Sequence, residues 1–183
     1  MIRIQALPGA LCAWALCFPI TTAHAQTAEP APAAPAAPAA TAGTPAPAPA
    51  VADEATLAAG KTVYSTTCIA CHQPTGLGLP PVFPPLKGSD WVAAAKPGRI
   101  VRIVLHGAVG PIKVNGVAFN GVMPGHGPQL TDDKIAAVIT YIRHEYGNKA
   151  SPVSADYVAA ARAAFKDRVA PWTEAELLAV PDK

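Results

Sequence analysis

The chain is short of cysteine, methionine and charge. Its 183 residues include four cysteines and two methionines, and 14% are Asp, Glu, Lys or Arg. Fourteen basic residues against 12 acidic ones leave a formal net charge of +2, with no basic surplus to grip a phosphate backbone. Nucleic acid is therefore not an expected partner. There is no G-x-S-x-G elbow, H-E-x-x-H pair or phosphate-binding glycine loop, so hydrolytic and nucleotide chemistry lack their usual residues. No internal repeat occurs. Apolar residues make up 51%, a figure inflated by alanine, and proline is plentiful at 21 residues.

The chain divides by composition. Residues 1–25, "MIRIQALPGALCAWALCFPITTAHA", carry one early charge, Arg3, and then a largely apolar run ending in Ala23-His24-Ala25. This reads as a secretory signal peptide cut after Ala25, which places the mature chain in the periplasm. The rival is an uncleaved anchor, against which Pro8 and Pro19 break the apolar run. A lipid anchor is not expected, because neither Cys12 nor Cys17 has a leucine three residues before it. Residues 26–52 are an Ala/Pro-rich disordered linker, biased toward polyproline II and able to span roughly 75 Å.

Residues 53–147 form the expected domain. Asp53 and Glu54 open a helical pattern in which Leu57, Gly60, Tyr64 and Cys68 share a face. Residues 73–88 are a Gly/Pro loop, and Ser89 or Asp90 caps a short expected helix in "SDWVAAA". "GRIVRIVLHG" predicts a helix ended by Gly107, with a strand as the rival. Asn115-Gly116 predicts a tight hairpin, and "GVMPGHGPQL" a second Gly/Pro loop. "TDDKIAAVITYIRHEYG" is the clearest helix, capped by Thr131 and lined by Ile135, Val138, Ile139 and Ile142. Residues 148–183 predict a helical extension, with Ser154 as one cap and Thr173-Glu176 as a capping box.

The chemistry lies in "CIACH", residues 68–72. With the leader gone, Cys68 and Cys71 are the only cysteines left, and no second pair exists to join them in disulfides. A structural zinc site needs four ligands, usually two separated pairs. A thioredoxin-like C-x-x-C needs a preceding strand in a βαβ unit. Neither context is present. C-x-x-C-H is the attachment pattern of c-type haem. Two thiols on one tight turn reach one porphyrin edge as thioethers, and His72 reaches the iron. The reading is one covalently attached haem c per chain.

The second axial ligand has three candidates. Met123 leads, as the one methionine besides Met1, and it is held in a Gly/Pro context. The rivals are His126, in the same loop, and His106, before Gly107. Lys61, Lys87, Lys96 and Lys113 are scattered and read as solubilising charges that could rim an exposed edge.

From "Gly60…Tyr64…Cys68-Ile69-Ala70-Cys71-His72" through Met123-Pro124 to "Leu130-Thr131-Asp132…Tyr141-Ile142-Arg143", the sequence resembles the class I cytochromes c. The resemblance implies a small all-α fold around one haem, with a short hairpin-like loop. It implies terminal helices that cross near Gly60, Tyr64 and Tyr141, and His72 and Met123 as iron ligands. It also implies a loop proline carbonyl that accepts from His72, with Pro80 of the Pro80-Pro81 pair favoured. Residues 114–124 are similar to a bacterial subgroup that accompanies periplasmic dehydrogenases or copper nitrite reductases. Such a protein is not itself an enzyme. It carries single electrons between periplasmic redox proteins: a donor dehydrogenase or respiratory complex, and a terminal oxidase or reductase. Membrane contact is expected only through an uncleaved leader or a membrane-bound partner. The alternative is the haem subunit of a redox enzyme complex, or a haem protein that binds a small ligand. An apolar shell of Phe83, Leu86 and Val122 is expected to raise the potential.

Overall fold

The computed structural model describes residues 52–181. The chain divides into two units, 1–43 and 44–183, and every described residue lies in the second. The expected leader, 1–25, and the linker, except for Ala52, lie outside the described residues.

Among the described residues, six α-helices and one antiparallel hairpin follow in order. They are α1 (Glu54–Val63), α2 (Ile69–His72), α3 (Gly98–His106), β1 (Gly107–Val114), β2 (Val117–Pro124), α4 (Asp132–His144), α5 (Ala155–Ala164) and α6 (Glu174–Ala179). A π-helical turn, Tyr64–Cys68, joins α1 to α2. The expected helical fold with a hairpin is therefore present, and "GRIVRIVLHG" is helical rather than extended.

Asp53 starts α1, its side chain accepting from the Thr56 N–H. The helix then widens where hydroxyls turn back on the backbone. Thr62 Oγ1 donates to Ala58 O, Ser65 Oγ to Lys61 O, and Thr66 Oγ1 to Thr62 O and Val63 O. Such back-bonding competes with the helical ladder, and π-turns of this kind recur at functional sites. The single face expected from Leu57 to Cys68 is thereby re-aimed before the cysteines.

Helices α1 and α4 cross at Gly60. A Cβ added there would lie 2.6 Å from Tyr141 Cβ and collide with the Ala137 carbonyl. Tyr64 and Tyr141 pack beside the crossing with ring centroids 5.6 Å apart, as the family resemblance implied. Ile135, Ile139 and Val101 are fully buried in the core between α3 and α4.

Three local expectations are corrected. "SDWVAAA" forms turns, not a helix, because the carbonyls of Val92 and Ala94 accept from the buried guanidinium of Arg143 at 2.7 and 3.0 Å. Thr131 stands at the start of α4, but its side chain makes no capping bond. Met123 and Pro124 belong to strand β2 rather than to a loop, with Met123 paired to Ala108. The hairpin turns at Asn115-Gly116, at φ 51° and 79°, the positive pair that suits a two-residue connection. Ser154 caps α5, and Thr173 with Glu176 closes the capping box of α6.

Replacing Gly60 by alanine should destabilise the protein by about 1–3 kcal/mol, because overpacking at the crossing exceeds the ~1 kcal/mol gain in helix propensity. Urea unfolding checks this. An unchanged or raised midpoint would show that the two helices can separate without cost.

Candidate functional site

An apolar cleft opens between the π-turn, α2, the 82–86 segment, α3 and the hairpin. Its space, counted together with the open solvent at its mouth, is about 1220 Å³. Its walls include Cys68, Cys71, His72, Met123 and His126, together with Trp91, Ile100, Val104, Phe119 and Ile142. The structure thus brings both cysteines, the histidine and the methionine to one cavity. His106 does not line it. His106 Nδ1 lies 3.2 Å from Arg168 O, and its ring packs edge-on against Phe165 and Trp172.

His72 is buried, and its Nδ1 lies 3.1 Å from the carbonyl of Pro84. A carbonyl can only accept, so Nδ1 carries the proton and Nε2 keeps its lone pair for the cleft. Burial pushes the His72 pKa down, with the Pro84 bond opposing, so the ring is neutral near pH 7. A neutral imidazole with its other nitrogen held is the form that serves a metal. The acceptor is Pro84, not the expected Pro80. Pro80 is exposed on the tip of the loop, where Leu79 and Phe83 pair across a turn. The half-buried Pro84 follows on the returning strand of that turn.

Cys68 and Cys71 are not joined to each other and stand half-buried one helical turn apart. Burial, and then the neighbouring Cys71, push the Cys68 thiol up to about 11. The motif follows a helix, and among the described residues no group of three or more His, Cys, Asp or Glu is placed to hold a metal ion. The donor set instead suits a flat apolar macrocycle: two adjacent thiols, one oriented imidazole, one thioether and hydrocarbon walls.

Sequence reasoning missed the ties that hold the 76–88 loop. Asn148 is buried; its Nδ2 donates to Leu86 O and Ile142 O, and its Oδ1 accepts from the Gly88 N–H. Asn115 Nδ2 donates to Gly88 O, and its Oδ1 accepts from the Asp90 N–H. Trp91 Nε1 donates to Lys113 O at 2.7 Å. Of the three side chains that make these ties, only Asn115 carried a signal of its own, the Asn115-Gly116 turn. Val82 and Val122 line the cleft yet are 40% and 64% exposed, so its mouth opens there. Val122 is therefore rim rather than enclosing shell. The four lysines are exposed, and none lines the cleft.

The sequence profile of the family described as Cytochrome c matches residues 57–145. Cytochrome c-552 of Thermus thermophilus is 39% identical over 92 residues, which cover 49% of this chain and 69% of that protein. The cytochrome c subunit of the quinone-dependent alcohol dehydrogenase of Gluconacetobacter polyoxogenes is 36% identical over 91 residues, 50% of this chain and 19% of that subunit. The gluconate 2-dehydrogenase cytochrome c subunit of Pantoea cypripedii is 34% identical over 108 residues, 56% of this chain and 24% of that subunit. The match thus spans about a fifth to a quarter of these two dehydrogenase subunits.

Gly78 tests the anchoring of His72. It sits at φ 67°, and a Cβ there would lie 2.5 Å from Pro84 O. Gly78→Ala should cost about 1–3 kcal/mol of stability and shift the proton resonance of His72 Nδ1–H. Unaltered stability and an unmoved resonance would show that Pro84 does not depend on this close approach.

Proposed function

This chain belongs to the class I cytochrome c family, and we propose that His72 and Met123 are the axial ligands of one haem joined through thioethers to Cys68 and Cys71. The protein is a monohaem electron carrier rather than a catalyst. The supporting observation is that these four side chains line one apolar cleft, with His72 anchored by Pro84.

Haem supplies an iron that alternates between ferric and ferrous states. The residues set how it does so. Cys68 and Cys71 hold the group on the chain, so it is not lost when a small domain breathes. Pro84 fixes the ring and the tautomer of His72, so the donor nitrogen needs no rearrangement between oxidation states. Met123 is a weak thioether donor that favours ferrous iron, and Met/His ligation raises the potential. Walls such as Phe83, Leu86 and Ile142 exclude water and disfavour the extra positive charge of the ferric state. With His72 and Met123 both donating to it, the bound iron would offer no position to oxygen or peroxide. The mouth at Val82 and Val122 is where the cofactor edge would meet a partner.

Partners follow from the relatives, which include cytochrome subunits of dehydrogenases. The donor is a periplasmic dehydrogenase or respiratory complex, and the acceptor a terminal oxidase or reductase. The segment plan belongs to the same reading: residues 1–25 direct export and are removed, 26–52 are a spacer, 53–147 carry the haem and 148–183 extend that domain. Its support is the Ala23-His24-Ala25 site and the change of composition near residue 52.

Protein matured with the export and haem-attachment machinery should keep one haem on the polypeptide after acid denaturation. Intact-mass measurement checks this, and the mass of the bare chain would refute the thioether assignment. Met123→Ala should abolish the ferric methionine-to-iron charge-transfer band. It should also lower the potential by on the order of 0.1 V, within the ~0.8 V that axial ligands govern. If band and potential both survive, Met123 is not a ligand and His126, which lines the same cleft, takes its place.

A further inference from the structure

The C-terminal extension reaches back to the turn that follows Met123 and to the strand paired with it, and it does so through specific bonds. Arg162, in the last turn of α5, spreads one guanidinium over three oxygens. Nη1 donates to Gly127 O at 2.7 Å, Nη2 to Leu130 O at 3.0 Å, and Nε to Asp132 Oδ1 at 2.8 Å. These acceptors lie four to nine residues beyond Met123, along the turn that leads into α4. From the other side the same turn is tied to α3, where the His126 N–H donates to Val104 O at 2.8 Å and the Gly127 N–H to Leu105 O at 3.0 Å. A Cβ added at Gly127 would lie 2.7 Å from Leu105 O and 3.2 Å from Arg162 Nη1, so the segment is gripped closely from both directions.

A second attachment lies on the hairpin. The Trp172 N–H donates to Gly107 O at 3.0 Å, and the Val109 N–H to Trp172 O at 2.8 Å. Ala108, between them, pairs with Met123 across the sheet and bridges to Trp172 on its other edge. The guanidinium carbon of Arg168 lies 3.5 Å from the Trp172 ring centre, and Glu176 pairs with that guanidinium in turn.

We propose that Arg162 is a positioning residue for the distal ligand: by fixing the turn after β2 against α5, it keeps Met123 from being displaced. This inference rests on the reading of Met123 as an axial ligand. The chemistry favours arginine. A planar fork can satisfy two carbonyls and a carboxylate at once, whereas the single ammonium of lysine cannot match that geometry. A thioether bond to iron is weak, so the freedom of the backbone on either side decides how readily an outside donor replaces it.

The test uses the ferric holoprotein and imidazole as the competing donor. The imidazole concentration that halves the methionine-to-iron charge-transfer band is measured for native protein, Arg162→Ala and Arg162→Lys, with urea unfolding in parallel. Arg162→Ala should need roughly tenfold less imidazole, equivalent to about 1.4 kcal/mol, and Arg162→Lys an intermediate amount. Lysine keeps the charge and part of the bonding, so it remains informative if the alanine variant does not fold. In a Met123→Ala background, where no methionine is left to displace, Arg162→Ala should change imidazole affinity by no more than about twofold. Equal imidazole requirements in native and Arg162 variants would overturn the inference while leaving the ligand assignment standing. A tenfold gain that persists in the Met123→Ala background would also overturn it, since Arg162 would then be guarding the cleft and not the methionine. Survival of the band in Met123→Ala itself would instead defeat the ligand reading on which the inference stands.

Discussion

One hydrogen bond organises the site: the ring N–H of His72 to the carbonyl of Pro84. An imidazole at the end of a four-residue helix could rotate freely if nothing held its far nitrogen. The carbonyl that holds it comes from a segment with no regular structure of its own, so that segment must be fixed by other means. Glycines at 76 and 78 take positive φ and let the chain fold closely beneath α2. Their amides and carbonyls are used: the Gly78 N–H donates to His72 O, and Gly76 O accepts from the Leu86 and Lys87 N–H groups. Asn148 then ties Leu86 and Gly88 to the end of α4. The loop is irregular in dihedral angles and still fully tethered, and this is what makes a carbonyl on it a dependable partner.

The same economy of buried polar groups recurs in the core. Arg143 is completely buried, and two of its nitrogens reach the carbonyls of Ser151, Val92 and Ala94. A buried charge is costly unless its donors are matched. Here the matching carbonyls come from turns that would otherwise leave acceptors unsatisfied. The guanidinium therefore stands in for the backbone ladder of a helix that does not form, and it links the 92–94 turn, α4 and the start of the extension.

What could be read in the sequence was whatever depended on neighbours in the chain. The capping box at Thr173 and Glu176, the positive-φ turn at Asn115-Gly116 and the amphipathic stripe of α4 are local devices, and each is present. The four cleft residues were legible because they are scarce: two cysteines beyond residue 25, one methionine besides the first, and one histidine beside the cysteines. What could not be read depended on distant partners. Two double prolines, 80–81 and 84–85, look alike in sequence, and only the path of the loop chooses between them. "SDWVAAA" has helix-forming composition, but Arg143, some fifty residues on, claims its carbonyls. Arg162 stands at least thirty residues from each of its three acceptors, so nothing beside it in the chain marks them.

The extension also answers a problem that the hairpin creates. A two-stranded ribbon is marginal alone, and its outer edges present unpaired backbone groups. A ribbon that frayed would be a poor support for a side chain in the cleft. On one edge, β1 is met by Trp172, whose backbone satisfies Gly107 and Val109. On the other, Pro81 O accepts from Asn120 N–H of β2, and Gly121 leaves no room for a Cβ beside Val82. The ribbon is therefore flanked by the 79–83 turn beside Asn120 and Gly121, and by the C-terminal segment at the level of Met123. Residues beyond the family match at 57–145 are thus bonded to the strand pair that carries one wall of the cleft.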